Sequence, residues 1–243
     1  MKTNVTDMSP MSYAHIAGVL YLIITVAAIF AHFVVPDQLI VAGDAAATAQ
    51  NILASETMFR LGAIGGELIV LLSEIVLSVL LYLLLKPVHK TLSLVAAVSR
   101  LAMTTIHGLN LLNYYFVLQL LKGDYLSSFG QEQIQALVSL FLNAHSMGFT
   151  IGIAFLVPHV LILGYLIYQS GYFPKALGIL FIAAGIGYLV DTMGLLLVPS
   201  YTSTPGLIAL VIAIAEIAFP IWLLVKGVNM ARWQNRTLAL ENA

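Results

Sequence analysis

Apolar residues fall into six long runs separated by short polar breaks, at 13–35, 59–86, 92–121, 134–169, 174–198 and 205–228. A helix rises 1.5 Å per residue, so about 20 apolar residues cross a bilayer core, and every run is long enough. Prolines mark the boundaries independently. Pro36, Pro87 and Pro199 stand just past run ends, and Pro174 and Pro205 open runs, where a missing N–H costs nothing. The third run closes on Lys122-Gly123, a cationic last turn before a cap residue. Only the connection between the first two runs is long. There Asp44 suits an N-cap, and Ala45, Ala46, Ala47 and Ala49 favour helix, which predicts a short helix leading into the second run. Residues 130–139 are expected to lengthen the fourth run outward. The pattern predicts an all-α integral membrane protein: a six-transmembrane-helix bundle in one domain, 1–243, with a short outer-surface helix between spans one and two.

Composition agrees. Of 243 residues, 60% are hydrophobic and 9% are charged, against about 25% charged in soluble domains. Mean hydropathy is +0.99. A water-soluble globule and a disordered chain are excluded. No Cys is present, so disulfides, thiolate metal sites and cysteine nucleophiles are excluded too. A net charge of −1 with no dense basic tract points away from nucleic acid. The first run lacks Asp, Glu, Lys and Arg from Tyr13 to Val35, longer than a cleaved leader's apolar region, and is read as a retained span. Lys2, Lys86, Lys90, Lys175, Lys226, Arg232 and Arg236 collect at one side, against Lys122 and Arg60 at the other. By the positive-inside rule both termini are cytoplasmic. Asp37, Asp44, Glu56, Asp124 and Glu132 then lie outside. Tyr13, Tyr114, Tyr115, Tyr125, Tyr165, Tyr168, Tyr172, Tyr201 and Trp233 lie near span ends and are expected in interfacial belts. A weak internal likeness, Gly18-Val19-Leu20-Tyr21 against Gly178-Ile179-Leu180-Phe181, is too short to imply a repeat.

Against so apolar a background the interior polar groups stand out, because a charge at mid-bilayer costs about 2.5–3.5 kcal/mol on insertion scales. The second run carries Arg60, Glu67 and Glu74 at seven-residue spacing, which predicts one stripe. The third carries Arg100, His107, Asn110 and Asn113, the fourth His145 and His159, the fifth Asp191 and the sixth Glu216. Helix rise puts Glu67, His145 and Asp191 about 10–12 Å from the outer ends. Glu67, His107, Asn110, His145, Asp191 and Glu216 are therefore the expected ligand or ion site in the outer half of the bundle. Glu74 and His159 form a second, deeper polar position. Small residues at Gly148 and Gly152, beside His145, allow close helix approach. Pro220 frees the carbonyl of Glu216, offering two oxygen acceptors at one place. His15 and His32 are expected at the interfaces, Arg100 is expected to snorkel to the cytoplasmic surface, and Arg60 is expected to pair with Glu56 or Glu67. The plain alternative for the whole set is a polar network that glues helices together.

The run Gly43-Asp44-Ala45-Ala46-Ala47-Thr48-Ala49-Gln50-Asn51-Ile52, followed by Ser55-Glu56 and Phe59-Arg60-Leu61-Gly62, carries a resemblance. So does Leu81-Tyr82-Leu83-Leu84-Leu85-Lys86-Pro87-Val88, followed by Arg100-Leu101. These resemble the bacterial membrane family catalogued as domain of unknown function 4386, from Ala17-Gly18 to the sixth run. The resemblance implies a small multi-pass protein of the bacterial cytoplasmic (inner) membrane. It brings no reaction, ligand or catalytic residue. It draws attention to Asp44, Thr48, Asn51 and Arg60 as an outer gate or mouth above the interior site, the alternative being a helix cap and a loop clamp.

The leading expectation is a protein that binds or transports a small ligand, ion or proton through the outer-half site, in contact with the lipid bilayer. A lipid is one such ligand. No spacing such as His-Glu-x-x-His, a calcium loop, a P-loop or Gly-x-Ser-x-Gly is present, so no cofactor is assigned. One alternative is an intramembrane metal-dependent hydrolase with zinc on His107, His145 and Asp191. A haem held by His107 and His145 is a variant of it. Another is a structural or assembly subunit. Oligomeric state is not legible.

Overall fold

The computed structural model describes residues 8–123 and 128–241. Lys2, Asp124 and Tyr125, used above for orientation and the interfacial belt, lie outside the described residues. The described chain is helical throughout, with six helices long and apolar enough to cross a membrane: Pro10–Leu39, Glu56–Leu85, Lys90–Lys122, Gln131–Ser170, Lys175–Leu197 and Gly206–Val225. They are called spans one to six below. Short connections make successive spans antiparallel. Each span packs on the next, and span one packs on span six, so the six close into a ring.

The expected outer helix is present at Ala45–Ala54. Asp44 caps it, its carboxylate accepting from the Ala47 N–H at 2.8 Å. A helix the hydropathy pattern does not reveal follows span six, at Met230–Glu241. It closes the end of the ring that also holds the described N-terminus. Trp233 Nε1 and the Tyr172 hydroxyl both donate to the Leu84 carbonyl, at 3.1 and 2.7 Å. Arg232 and Arg236 donate to the carbonyls of Gly171 and Gln169, each at 2.8 Å. Those carbonyls end span four, where cations are favoured by the helix dipole. The span itself stops at Gly171, whose φ of +74° places it in the left-handed cap conformation.

Two features depart from the sequence expectation. Span one does not end at Pro36 but runs on to Leu39. A π-helical turn at Phe30–Val34 precedes the proline, and its wider hydrogen-bonding ring takes up the residue that would otherwise clash one turn back. A second π turn, Phe59–Gly65, lies at the outer end of span two. The two turns touch. A Cβ on Gly62 would fall 2.5 Å from Val35, and one on Gly66 would fall 3.0 Å from the Ala31 Cβ.

The ring interior holds two separate apolar cores. The inner one is the larger, built on residues such as Tyr21, Leu77, Leu84, Leu163, Phe181 and Phe219. Tyr21 and Phe181, the matched aromatics of the weak internal likeness, both stand edge-on to Phe219, at 5.9 and 5.2 Å. The outer core is built on Val35, Leu39, Ile52, Phe59, Tyr114, Leu118, Val138 and Leu142. It joins the outer helix, through Ile52, to spans one to four.

Candidate functional site

Polar side chains from spans one to four form two buried layers. In the outer layer, Glu67 opens the regular part of span two directly after its π turn and is 3% exposed. Its Oε1 lies 2.9 Å from His145 Nε2 and 3.7 Å from His32 Nδ1. Among the described residues no Lys or Arg comes within ion-pair reach of it. The Glu67–His145 contact is close, yet neither atom has a hydrogen bond of acceptable angle, and both atoms are fully buried.

The neighbours hold this arrangement. Tyr114 stacks on the His145 ring with centroids 3.7 Å apart. Asn110 donates from Nδ2 to the His145 carbonyl at 2.8 Å, and Asn113 donates to Asn110 Oδ1 at 2.9 Å. His107 stacks on Phe149 at 4.7 Å, and its Nε2 lies 3.0 Å from the Phe149 carbonyl. A carbonyl only accepts, so the His107 proton sits on Nε2. The close approach requires glycine on span four. A Cβ on Gly152 would fall 2.1 Å from His107 Nε2, and one on Gly148 would fall 2.1 Å from Asn110 Oδ1.

The inner layer is organised by Arg100. Its Nε donates to Glu74 Oε2 and its Nη2 to Glu74 Oε1 at 2.9 Å, a two-pronged pair. Nη1 donates to the Tyr21 hydroxyl at 3.2 Å and meets His159 Nε2 at 3.0 Å. Arginine has no acceptor, so His159 Nε2 accepts and Nδ1 carries the proton, donated to the Ala96 carbonyl at 2.9 Å. Glu74 and His159 thus share one network, as their common depth suggested. Arg100 does not snorkel. At 5% exposure it is buried, because the carboxylate of Glu74 meets it in the ring and removes the incentive to reach water.

Other expectations are redistributed. His32 is not interfacial, because the π turn of span one turns it towards Glu67. Arg60 does not share the stripe of Glu67 and Glu74. The π turn between them shifts helical phase, leaving Arg60 exposed on Glu56 at 2.7 Å, while Lys122 holds the same carboxylate at 2.6 Å. Tyr114 is no belt residue but 4% exposed. Asp191 accepts from the Tyr201 and Thr204 hydroxyls, at 2.8 and 3.0 Å, in the span five–six connection. Glu216 accepts from Tyr188 at 3.4 Å. The structure thus brings Glu67, His107, Asn110 and His145 together, and gives Asp191 and Glu216 partners of their own. Among the described residues no three His, Asp or Glu side chains are grouped to hold a metal ion.

The residues expected at an outer mouth cap and clamp the outer helix. Thr48 accepts from the Val41 N–H at 2.9 Å and donates to the Asp44 carbonyl at 2.8 Å. Asn51 Nδ2 donates to the Leu39 carbonyl, at the end of span one, at 3.4 Å. These bonds fix the outer helix over the outer core, and the core covers Glu67.

A family model described as domain of unknown function (DUF4386) matches residues 16–227. An uncharacterized protein of the archaeon Archaeoglobus fulgidus is 29% identical over 165 residues, covering 68% of this chain and 83% of that protein. No solved structure matches. With an archaeal relative, the family likeness supports a multi-pass membrane protein without assigning a bacterial membrane.

Proposed function

We propose, from the premise that the chain belongs to the family described as domain of unknown function DUF4386, that it binds a small ligand or ion at the outer polar layer and moves it across a prokaryotic cytoplasmic membrane. The proposed contacts are Glu67, His107, Asn110 and His145, with His32 added to those legible in the sequence. The outer helix, capped by Asp44 and tied to span one by Asn51, is the gate, with the Arg60–Glu56 pair beside it at the start of span two. Asp191 and Glu216 are left outside the site because each has its own partners. The cation excess puts both termini in the cytoplasm.

One observation carries this reading. A layer of buried polar side chains interrupts the interior between two separate apolar cores. Polar groups at that depth are costly and mark ligand or ion paths by default. The inner layer supports a second, structural role, because the Arg100 network satisfies its polar atoms and ties four spans together.

The test is ion flux. The purified chain is reconstituted into vesicles under imposed proton, sodium or potassium gradients, and flux is read with a voltage-sensitive dye. Wild type is expected to carry one of these ions and Glu67→Gln to fall to the level of empty vesicles, with insertion unchanged. Equal flux in both proteins overturns the proposal.

A further inference from the structure

We infer that the ligand of the outer layer is a proton, held between Glu67 Oε1 and His145 Nε2 and delivered through His32. This rests on the site reading above and narrows it.

The argument starts from a contrast within one helix. Glu67 and Glu74 lie two turns apart on span two, at 3% and 4% exposure. Glu74 is neutralised by Arg100, a cation that cannot lose its proton. Glu67 meets only imidazoles. The charge of the inner layer is therefore permanent, while that of the outer layer is set by how many protons it holds.

The geometry requires at least one such proton. A carboxylate oxygen and a bare imidazole nitrogen at 2.9 Å would bring two electron-rich atoms together in a low-dielectric interior, where nothing screens the repulsion. One proton between them removes it. On Nε2 it gives an imidazolium facing a carboxylate. On Oε1 it gives two neutral groups. Moving between these states breaks the N–H bond and forms the O–H bond, and both charges vanish together.

His32 supplies the route. Its Nδ1 approaches the same Oε1 from the other side, at 3.7 Å, and its side chain is 18% exposed against 4% for Glu67. Closing that gap to a hydrogen bond of about 2.9 Å takes a shift of under about 1 Å. The ring sits on the π turn of span one, packed against the π turn of span two. A small adjustment between these turns would close the distance. A proton on His32 Nδ1 then passes to Glu67 Oε1 as the resident proton moves from Oε1 to His145 Nε2, leaving His32 neutral and the pair one proton richer.

The remaining groups facing Glu67 do not compete. From span three, His107 has its Nε2 proton on the Phe149 carbonyl and Tyr114 offers its ring face to His145. On span two itself, Arg60 is turned out to Glu56 and Glu74 is held by Arg100.

The experiment is infrared difference spectroscopy on the full chain in lipid, exchanged between H2O and D2O, with proton flux measured in vesicles under an imposed proton gradient. Wild type should show a carboxylic-acid C=O band that moves down on exchange into D2O, absent in Glu67→Gln and shifted in His145→Asn. Proton flux should fall to the level of empty vesicles in Glu67→Gln. Should Glu67→Gln fail to fold, the band shift in His145→Asn carries the test. Wild-type band and proton flux in whichever variant folds overturn the inference. If sodium or potassium flux still requires Glu67 in that case, the site stands and its ligand is a metal cation. If flux is independent of Glu67, both readings fall.

Discussion

Replacing Glu74 with Leu leaves a guanidinium 5% exposed in the ring interior, with only the Tyr21 hydroxyl and His159 Nε2 as partners. Breaking a buried ion pair by removing one member costs about 3–5 kcal/mol. A neutral hydrogen bond between membrane helices is worth about 0.6 kcal/mol on average, so the stranded charge dominates the loss several-fold. Arg100→Met should cost less, because a stranded Glu74 can take up a proton while a stranded Arg100 cannot give one up. The double variant Glu74→Leu with Arg100→Met removes both charges and should return to within about 1–2 kcal/mol of wild type, a coupling of about 2 kcal/mol or more. The assay is reversible unfolding in mixed detergent micelles, read by the fluorescence of Trp222 and Trp233. Single variants each costing under about 1 kcal/mol, or a double variant as unstable as the sum of the singles, would refute the view of Arg100 as a charge-neutralised tie between four spans.

Gly152→Ala should displace the His107 ring, break its bond to Phe149 and cost about 1–3 kcal/mol, seen as a shifted His107 NMR signal together with lower unfolding stability. Gly178→Val should be worse, because a Cβ there falls 2.6 Å from the backbone nitrogen of Tyr168, which cannot swing aside; the expected readout is failure to recover monodisperse protein. Asp44→Ala removes the cap of the outer helix and should cost that helix about 0.5–2 kcal/mol, with faster amide exchange confined to 45–54 and unchanged exchange in the inner halves of the spans. Deleting 230–241 removes one of the two donors to the Leu84 carbonyl and uncovers the end of span four, so exchange should quicken at 169–174 while the Glu67 layer stays protected.

Much of the fold was legible because membrane insertion is paid residue by residue. Each of the six runs stands out by its own transfer free energy, and the structure keeps all six, lengthening the first four and shortening the last two. Asp44 and the alanines after it announced the outer helix through local capping and propensity. The two π turns were not legible. They answer the packing of Gly62 and Gly66 against span one, and a hydropathy count carries no phase. From that omission followed the displaced Arg60 and the misplaced His32. Arg100 was misjudged for a related reason, since depth along one helix does not reveal an acid waiting on the next. The C-terminal helix at 230–241 was missed because it is too polar for a hydropathy scan, although Trp233 between Arg232 and Arg236 was a usable sign of an amphipathic turn at an interface.

By itself, then, the sequence determined that the protein lives in a membrane, how many times it crosses, where the six apolar runs lie, and that Glu67, His107, Asn110 and His145 lie at similar depth. These are sums over single residues. Only the tertiary structure decided which buried acid meets a permanent cation and which meets titratable rings. That choice depends on how each helix is rotated about its axis and on which helix stands beside it, and both are set by closing six spans into a ring, with two π turns shifting the phase where spans one and two meet.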